Sequence, residues 1–131
     1  MRTIRFRGKD LATGEWRHGD LVQYDEDGVK YTTIFKDELR GHTYSVRPDS
    51  VGQFTGLHDE DNTDIYEGDI LARKGWKNKC VVEWNKLLTQ FQGTWDNMPM
   101  NAADIYTVIH SGYKVVGNIH DNSELVTKLN N

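Results

Sequence analysis

Twelve glycines against two prolines cut this chain of 131 residues into pieces of strand length, and that punctuation constrains its fold more than any other feature. Ile4-Arg5-Phe6-Arg7-Gly8 alternates apolar with basic residues, and Ala12-Thr13-Gly14-Glu15-Trp16 turns into a second strand that continues through Asp20-Leu21-Val22-Gln23-Tyr24. In the turn Asp25-Glu26-Asp27-Gly28 the Asp-Gly step favours positive φ, so Val29-Lys30-Tyr31-Thr32-Thr33-Ile34-Phe35 is the return strand of a hairpin.

Residues 36–42 lack periodicity and read as a connector, and Tyr44-Ser45-Val46-Arg47-Pro48 is extended because a residue before proline is pushed from the helical region. Further strands are expected at 51–57, 65–72, 80–84, 88–95 and 113–119. Short helices are expected at Asn101-Ala102-Ala103-Asp104-Ile105-Tyr106, capped by Asn101, and within 122–129. The expected class is mainly β, a β-rich α+β chain. N-terminal hairpins pack on a small, bent, SH3-like barrel over about 52–119, and a short helix closes the chain. It is expected as a single unit over 1–131, with any subdivision falling between a hairpin region 1–48 and a barrel-like region 49–131.

At this length folding removes roughly two-thirds of the unfolded chain's surface from water. Only 37% of residues are hydrophobic, but four Trp, six Tyr and four Phe supply large apolar bodies, and Trp16, Trp84 and Trp95 are expected in the core. The N-terminal residues contain no apolar run suited to a signal peptide, Cys80 has no cysteine to pair with, and no stretch is long and apolar enough for a membrane-spanning helix. A cytoplasmic protein with no membrane role is expected. The net charge of −4 argues against a dedicated nucleic-acid coat, although Arg2, Arg5, Arg7 and Lys9 crowd one segment and Arg73, Lys74, Lys77 and Lys79 another.

The residues Ile4-Arg5-Phe6-Arg7-Gly8-Lys9, Gly14-Glu15-Trp16, Gly19 to Leu21, Val51-Gly52-Gln53-Phe54-Thr55-Gly56-Leu57 with Asp59, Ile65-Tyr66-Glu67-Gly68-Asp69-Ile70, Val82 with Trp84, and Val116-Gly117-Asn118-Ile119-His120 together resemble the YopX family over nearly the whole chain. The resemblance implies a phage or prophage setting without an assigned activity. One departure is Asp61-Asn62, where the family often has an Asn-Gly turn; Asn also tolerates left-handed φ, so the turn is expected to survive.

Asp59, Glu60, Asp61, Asp64, Glu67 and Asp69 form the densest carboxylate run, and hard cations take such oxygens. Asp59-x-Asp61-x-Thr63 begins like a calcium loop, yet Asp64 stands where the turn glycine belongs and Ile70 where the last glutamate belongs. A solvated turn and a strand entry are expected instead. His18, His42, His58, His110 and His120 follow no metal-ligand spacing, and Cys80 lies in the apolar run Cys80-Val81-Val82, the setting of an inert buried thiol. Neither a catalytic centre, a metal nor a cofactor is expected.

Arg73-Lys74-Gly75-Trp76-Lys77-Asn78-Lys79 interleaves an aromatic ring with cations, a composition that offers base stacking and phosphate contacts together. Arg73, Lys74, Trp76, Lys77 and Lys79 are therefore the candidate contact residues for a partner or a nucleic acid. The same residues suit a plain hairpin tip whose Trp76 packs back on the sheet, which is the simpler expectation. The expected function is that of a non-enzymatic phage or prophage accessory protein, binding a protein partner or itself through strand edges and aromatic patches. The alternative is a nucleic-acid-binding module using the 73–79 loop and the N-terminal basic arm.

Overall fold

The computed structural model describes residues 2–36, 41–95 and 98–126. The chain divides into two compact units, Met1–Phe54 and Thr55–Asn131. The first holds β1 (Phe6–Lys9), β2 (Trp16–Glu26), β3 (Val29–Lys36), β4 (His42–Ser45) and the start of β5 (Gly52–His58), in the spatial order β4-β3-β2-β1-β5. Its pairings are antiparallel.

Local chemistry fixes the turns of this sheet. Between the paired Glu26 and Val29, Asp27 (φ 52°) and Gly28 (φ 79°) both adopt left-handed backbone, the two-residue turn whose twist suits antiparallel strands. The buried Asp10 organises the β1–β2 connection: its Oδ1 accepts the Ala12 and Thr13 amides and its Oδ2 accepts Arg17 Nε at 3.0 Å. Those backbone donors and the guanidinium hold the Asp10 carboxyl below its usual range. Ile34, Val46 and Phe54 are buried in this unit. Because β1 pairs with β2 only over 16–19 and β4 with β3 only over 33–36, the β2–β3 hairpin beyond them is a two-stranded ribbon.

The second unit contains the rest of β5, then β6 (Asp64–Tyr66), β7 (Asp69–Ala72), β8 (Cys80–Asn85), β9 (Gln90–Trp95), β10 (Met98–Asp104), α1 (Ile105–His110) and β11 (Lys114–Asn118). β7 to β11 form an antiparallel sheet ordered β10-β9-β8-β7-β11. Ile65, Leu71, Cys80, Val82, Ile105, Val108 and Tyr113 make its core. α1 sits on the sheet at Gly93, where a Cβ would lie 3.0 Å from Cys80 Sγ and 3.1 Å from a Val108 methyl. A bare strand position is what lets the helix approach this closely.

Several details differ from the sequence expectation. The run 65–72 is two strands, β6 and β7, broken at Glu67 and Gly68, because Asp69 Oδ2 accepts the Tyr66 amide at 2.7 Å and turns the chain. Asn101 does not cap the helix: it lies within β10, and Asp104 caps α1 by accepting the Thr107 amide at 2.9 Å. The second sheet is open, with β10 and β11 at its edges and no pairing between them among the described residues, so the expected barrel does not close. Trp84 is not a core residue but 45% exposed, paired edge to face with Phe91 at the free end of the β8–β9 hairpin. Trp95 is half-buried and its Nε1–H donates to Tyr113 Oη at 3.0 Å. Within 122–129 a 3₁₀ turn spans Ser123–Leu125; the rest of that expected helix from residue 127, and residues 37–40 of the connector, lie outside the described residues. No helix among the described residues is long and apolar enough to cross a membrane.

Candidate functional site

The 73–79 segment joins β7 to β8, which pair through Ile70 with Val81 and Leu71 with Cys80. Its first four residues make a tight turn: the Trp76 amide donates to the Arg73 carbonyl at 3.0 Å, and Gly75 takes the left-handed backbone (φ 83°) that a side chain would strain. Trp76 does not pack back on the sheet. It is 59% exposed, and the Arg73 guanidinium lies 4.7 Å from its ring centroid, a cation–π contact that fixes the ring without covering it.

In the same loop Lys74 and Lys77 are exposed and Lys79 is half-buried. Among the described residues none of Arg73, Lys74, Lys77 and Lys79 forms an ion pair. The N-terminal basic arm behaves differently. Arg5 lies over Phe54, Arg7 and Lys9 over Trp16, and Arg17 over Tyr44, at 4.1–5.7 Å from the ring centroids. Those cations are packed on aromatic rings within the first unit, whereas the 73–79 loop keeps Lys74 and Lys77 exposed.

Pairing of Lys114 with Ala72 brings the turn after α1 alongside the start of the loop, and a Cβ at Gly112 would be 3.7–3.9 Å from the Arg73 side chain. Gly112 also lines an open groove of about 690 Å³, walled on one side by Leu57, His58, Asp59 and Glu60 and on the other by Ile109, His110 and Ser111. The His110 ring stacks on Tyr106 with centroids 3.9 Å apart, and its Nδ1 lies 2.8 Å from the Tyr106 carbonyl. A carbonyl can only accept, so Nδ1 carries the proton of that bond.

The acidic run is employed in holding this wall together. Asp59 is 5% exposed and accepts the Asp61 and Thr63 amides on Oδ1 and the Val115 amide on Oδ2. Burial alone would push its carboxyl up, but the Val115, Thr63 and Asp61 donors and the Lys114 charge outweigh burial and hold it below its usual range. Lys114 bridges Glu60 and Asp61 at 3.3 and 3.2 Å, bonds that raise its own pKa. Asn62 takes φ 65°, the left-handed turn conformation expected of it. Among the described residues no three His, Cys, Asp or Glu side chains are grouped to hold a metal ion. Cys80 is wholly buried.

Sequence reasoning found the loop and missed the groove. His58 and His110 stand far apart in the chain at no ligand spacing, and both line one groove beside the point where the Asp59 turn is pinned to β11.

These features define a mainly β protein of two antiparallel sheets with an exposed basic and aromatic loop beside a groove. The family model for YopX protein matches residues 5–127, and the chain belongs to the YopX family. Among solved structures, the crystal structure of protein EF1440 from Enterococcus faecalis is similar with a TM-score of 0.54 at 22% identity, covering 95% of this chain and 99% of that one. That likeness concerns the fold. No curated protein is similar to the chain.

Proposed function

We propose that this chain is a non-enzymatic accessory protein of a phage or prophage that works by binding, with the 73–79 loop as its contact surface and a polyanion, nucleic acid foremost, as its partner. The observation that carries this is that, among the described residues, Arg73, Lys74, Lys77 and Lys79 form no ion pairs in a loop with an exposed Trp76, on a protein of net charge −4. Cations that merely solubilise a surface are commonly interspersed with carboxylates, and here the loop has none. Lysines supply counterion release on contact with phosphates, and an exposed indole supplies a stacking face. The phage setting is what family membership implies.

The test is fluorescence anisotropy of a labelled oligonucleotide against the intact protein and against Lys74→Glu with Lys77→Glu. Saturable binding that the double variant loses supports the proposal. Binding of equal strength by both proteins refutes the loop as the contact.

A second surface favours a protein partner. Val22, Tyr24, Val29 and Tyr31 are all exposed on one face of the β2–β3 ribbon, and the two tyrosine rings stack at 5.0 Å. A two-stranded ribbon has little stability of its own, and apolar rings held out on one are suited to burial against another chain. Concentration-dependent sedimentation that Tyr24→Lys abolishes would support association of two copies through this face. A single species at every concentration would refute it.

A further inference from the structure

Resting on the loop as a polyanion contact, we infer that the polymer is a single strand of nucleic acid and that the groove beside the loop seats one of its bases against His110. Phosphate contacts alone do not distinguish a single strand from a duplex; exposed ring faces do, because a duplex keeps its bases stacked inside. Two ring platforms are available, one in the loop and one on the groove. One is Trp76, backed by Arg73. The other is His110, backed by Tyr106 and fixed through Nδ1 to the Tyr106 carbonyl. Both rings are held in place before any ligand arrives, which lowers the ordering cost of binding.

The charges divide the strand between the two places. The loop is purely cationic and takes phosphates. The groove lining holds no Lys or Arg, and its Glu60 carboxylate is already shared with Lys114, so it offers a phosphate nothing to pair with. A base is uncharged and brings amino groups that the exposed Glu60 carboxylate can accept, as glutamate does from cytosine. Gly112 supports the passage between the two places, since it meets both the Arg73 side chain and the groove with backbone alone. The groove volume of about 690 Å³ lies in the range of roughly 300–1,000 Å³ typical of small-molecule sites.

The experiment titrates the intact protein with a labelled single strand of about 12 nucleotides, a length within the usual site sizes, and with the corresponding duplex at one low salt concentration. The single strand should bind about tenfold or more tightly than the duplex, and His110→Ala and Tyr106→Ala should each cost about tenfold in single-strand affinity. His110→Phe, which keeps a ring, should restore most of it. Tyr106 and His110 are both exposed, and a circular dichroism melt confirms that each variant folds. Equal affinity for duplex and single strand, or unchanged affinity in both alanine variants while Lys74→Glu with Lys77→Glu loses binding, overturns the base-seating groove and leaves the loop as a phosphate contact. No binding of either form by the wild-type protein overturns the loop contact itself.

Discussion

The Asp59 carboxylate accepts the Val115 amide at 3.0 Å across 56 positions of sequence. One short acidic side chain thereby ties the turn after β5 to the edge strand β11, and it sets one wall of the groove. Asp59→Asn retains one acceptor oxygen for three N–H donors, and the unsatisfied groups should cost about 1–3 kcal/mol in urea unfolding. The sign of its pH dependence follows from the direction of the shift. A carboxyl held below its usual value in the folded chain stabilises fully above the unfolded value of about 3.9, and that contribution is lost as pH falls through the folded value. The stability gap between wild type and Asp59→Asn should therefore be constant near neutrality and shrink in acid.

The hairpin turn at Asp27 and Gly28 makes a local demand on sequence. Gly28→Ala places a Cβ on left-handed backbone and should destabilise by about 1 kcal/mol. Thermal unfolding measures it. Because the ribbon beyond β1 and β4 is only two strands wide, hydrogen exchange should accelerate there more than at Ile34, which is buried in the same unit.

Leu71 is wholly buried in the core of the second unit, and Leu71→Ala should cost about 2–5 kcal/mol. Gly93→Val is a harsher test of the same packing. Its side chain would meet Cys80 Sγ and Val108 where even a Cβ sits at 3.0 and 3.1 Å, so α1 must move off the sheet or the variant must fail to fold. Near-ultraviolet circular dichroism would report the lost packing of Trp95 and Tyr113.

Trp76→Ala should leave stability within about 0.5 kcal/mol of wild type, because the ring is largely in water and touches Arg73 in its own loop. Oligonucleotide affinity should nevertheless fall by about tenfold, the loss of one stacking platform. Loss of both stability and affinity together would mean that the ring is a structural part of the turn.

Much of the architecture was legible in particular residues. Asp27-Gly28 marked its hairpin because only residues tolerant of left-handed backbone fit there, and Cys80-Val81-Val82 marked a buried strand by its apolar run. β10 was illegible, since Met98-Pro99-Met100-Asn101-Ala102-Ala103 carries neither alternation nor β-branched residues, and its pairing with β9 decides its conformation. Trp84 was misplaced because alternation gives a residue's face but not where along the strand the covering helix stops. At the site, the loop announced itself by composition. The groove could not, because the meeting of the 57–60 and 109–112 segments at one groove depends on where β11 pairs and on one carboxylate bridging to it.

The most direct measurement is the salt dependence of single-strand binding. Log affinity against log salt concentration falls by about 0.7 per phosphate neutralised on a single strand, so engagement of all four loop cations predicts a slope of roughly −3, and Lys74→Ala with Lys77→Ala should flatten it by about 1.4. A salt-independent affinity, a slope untouched by the double variant, or no binding at low salt would contradict the assignment of the 73–79 loop as the contact surface.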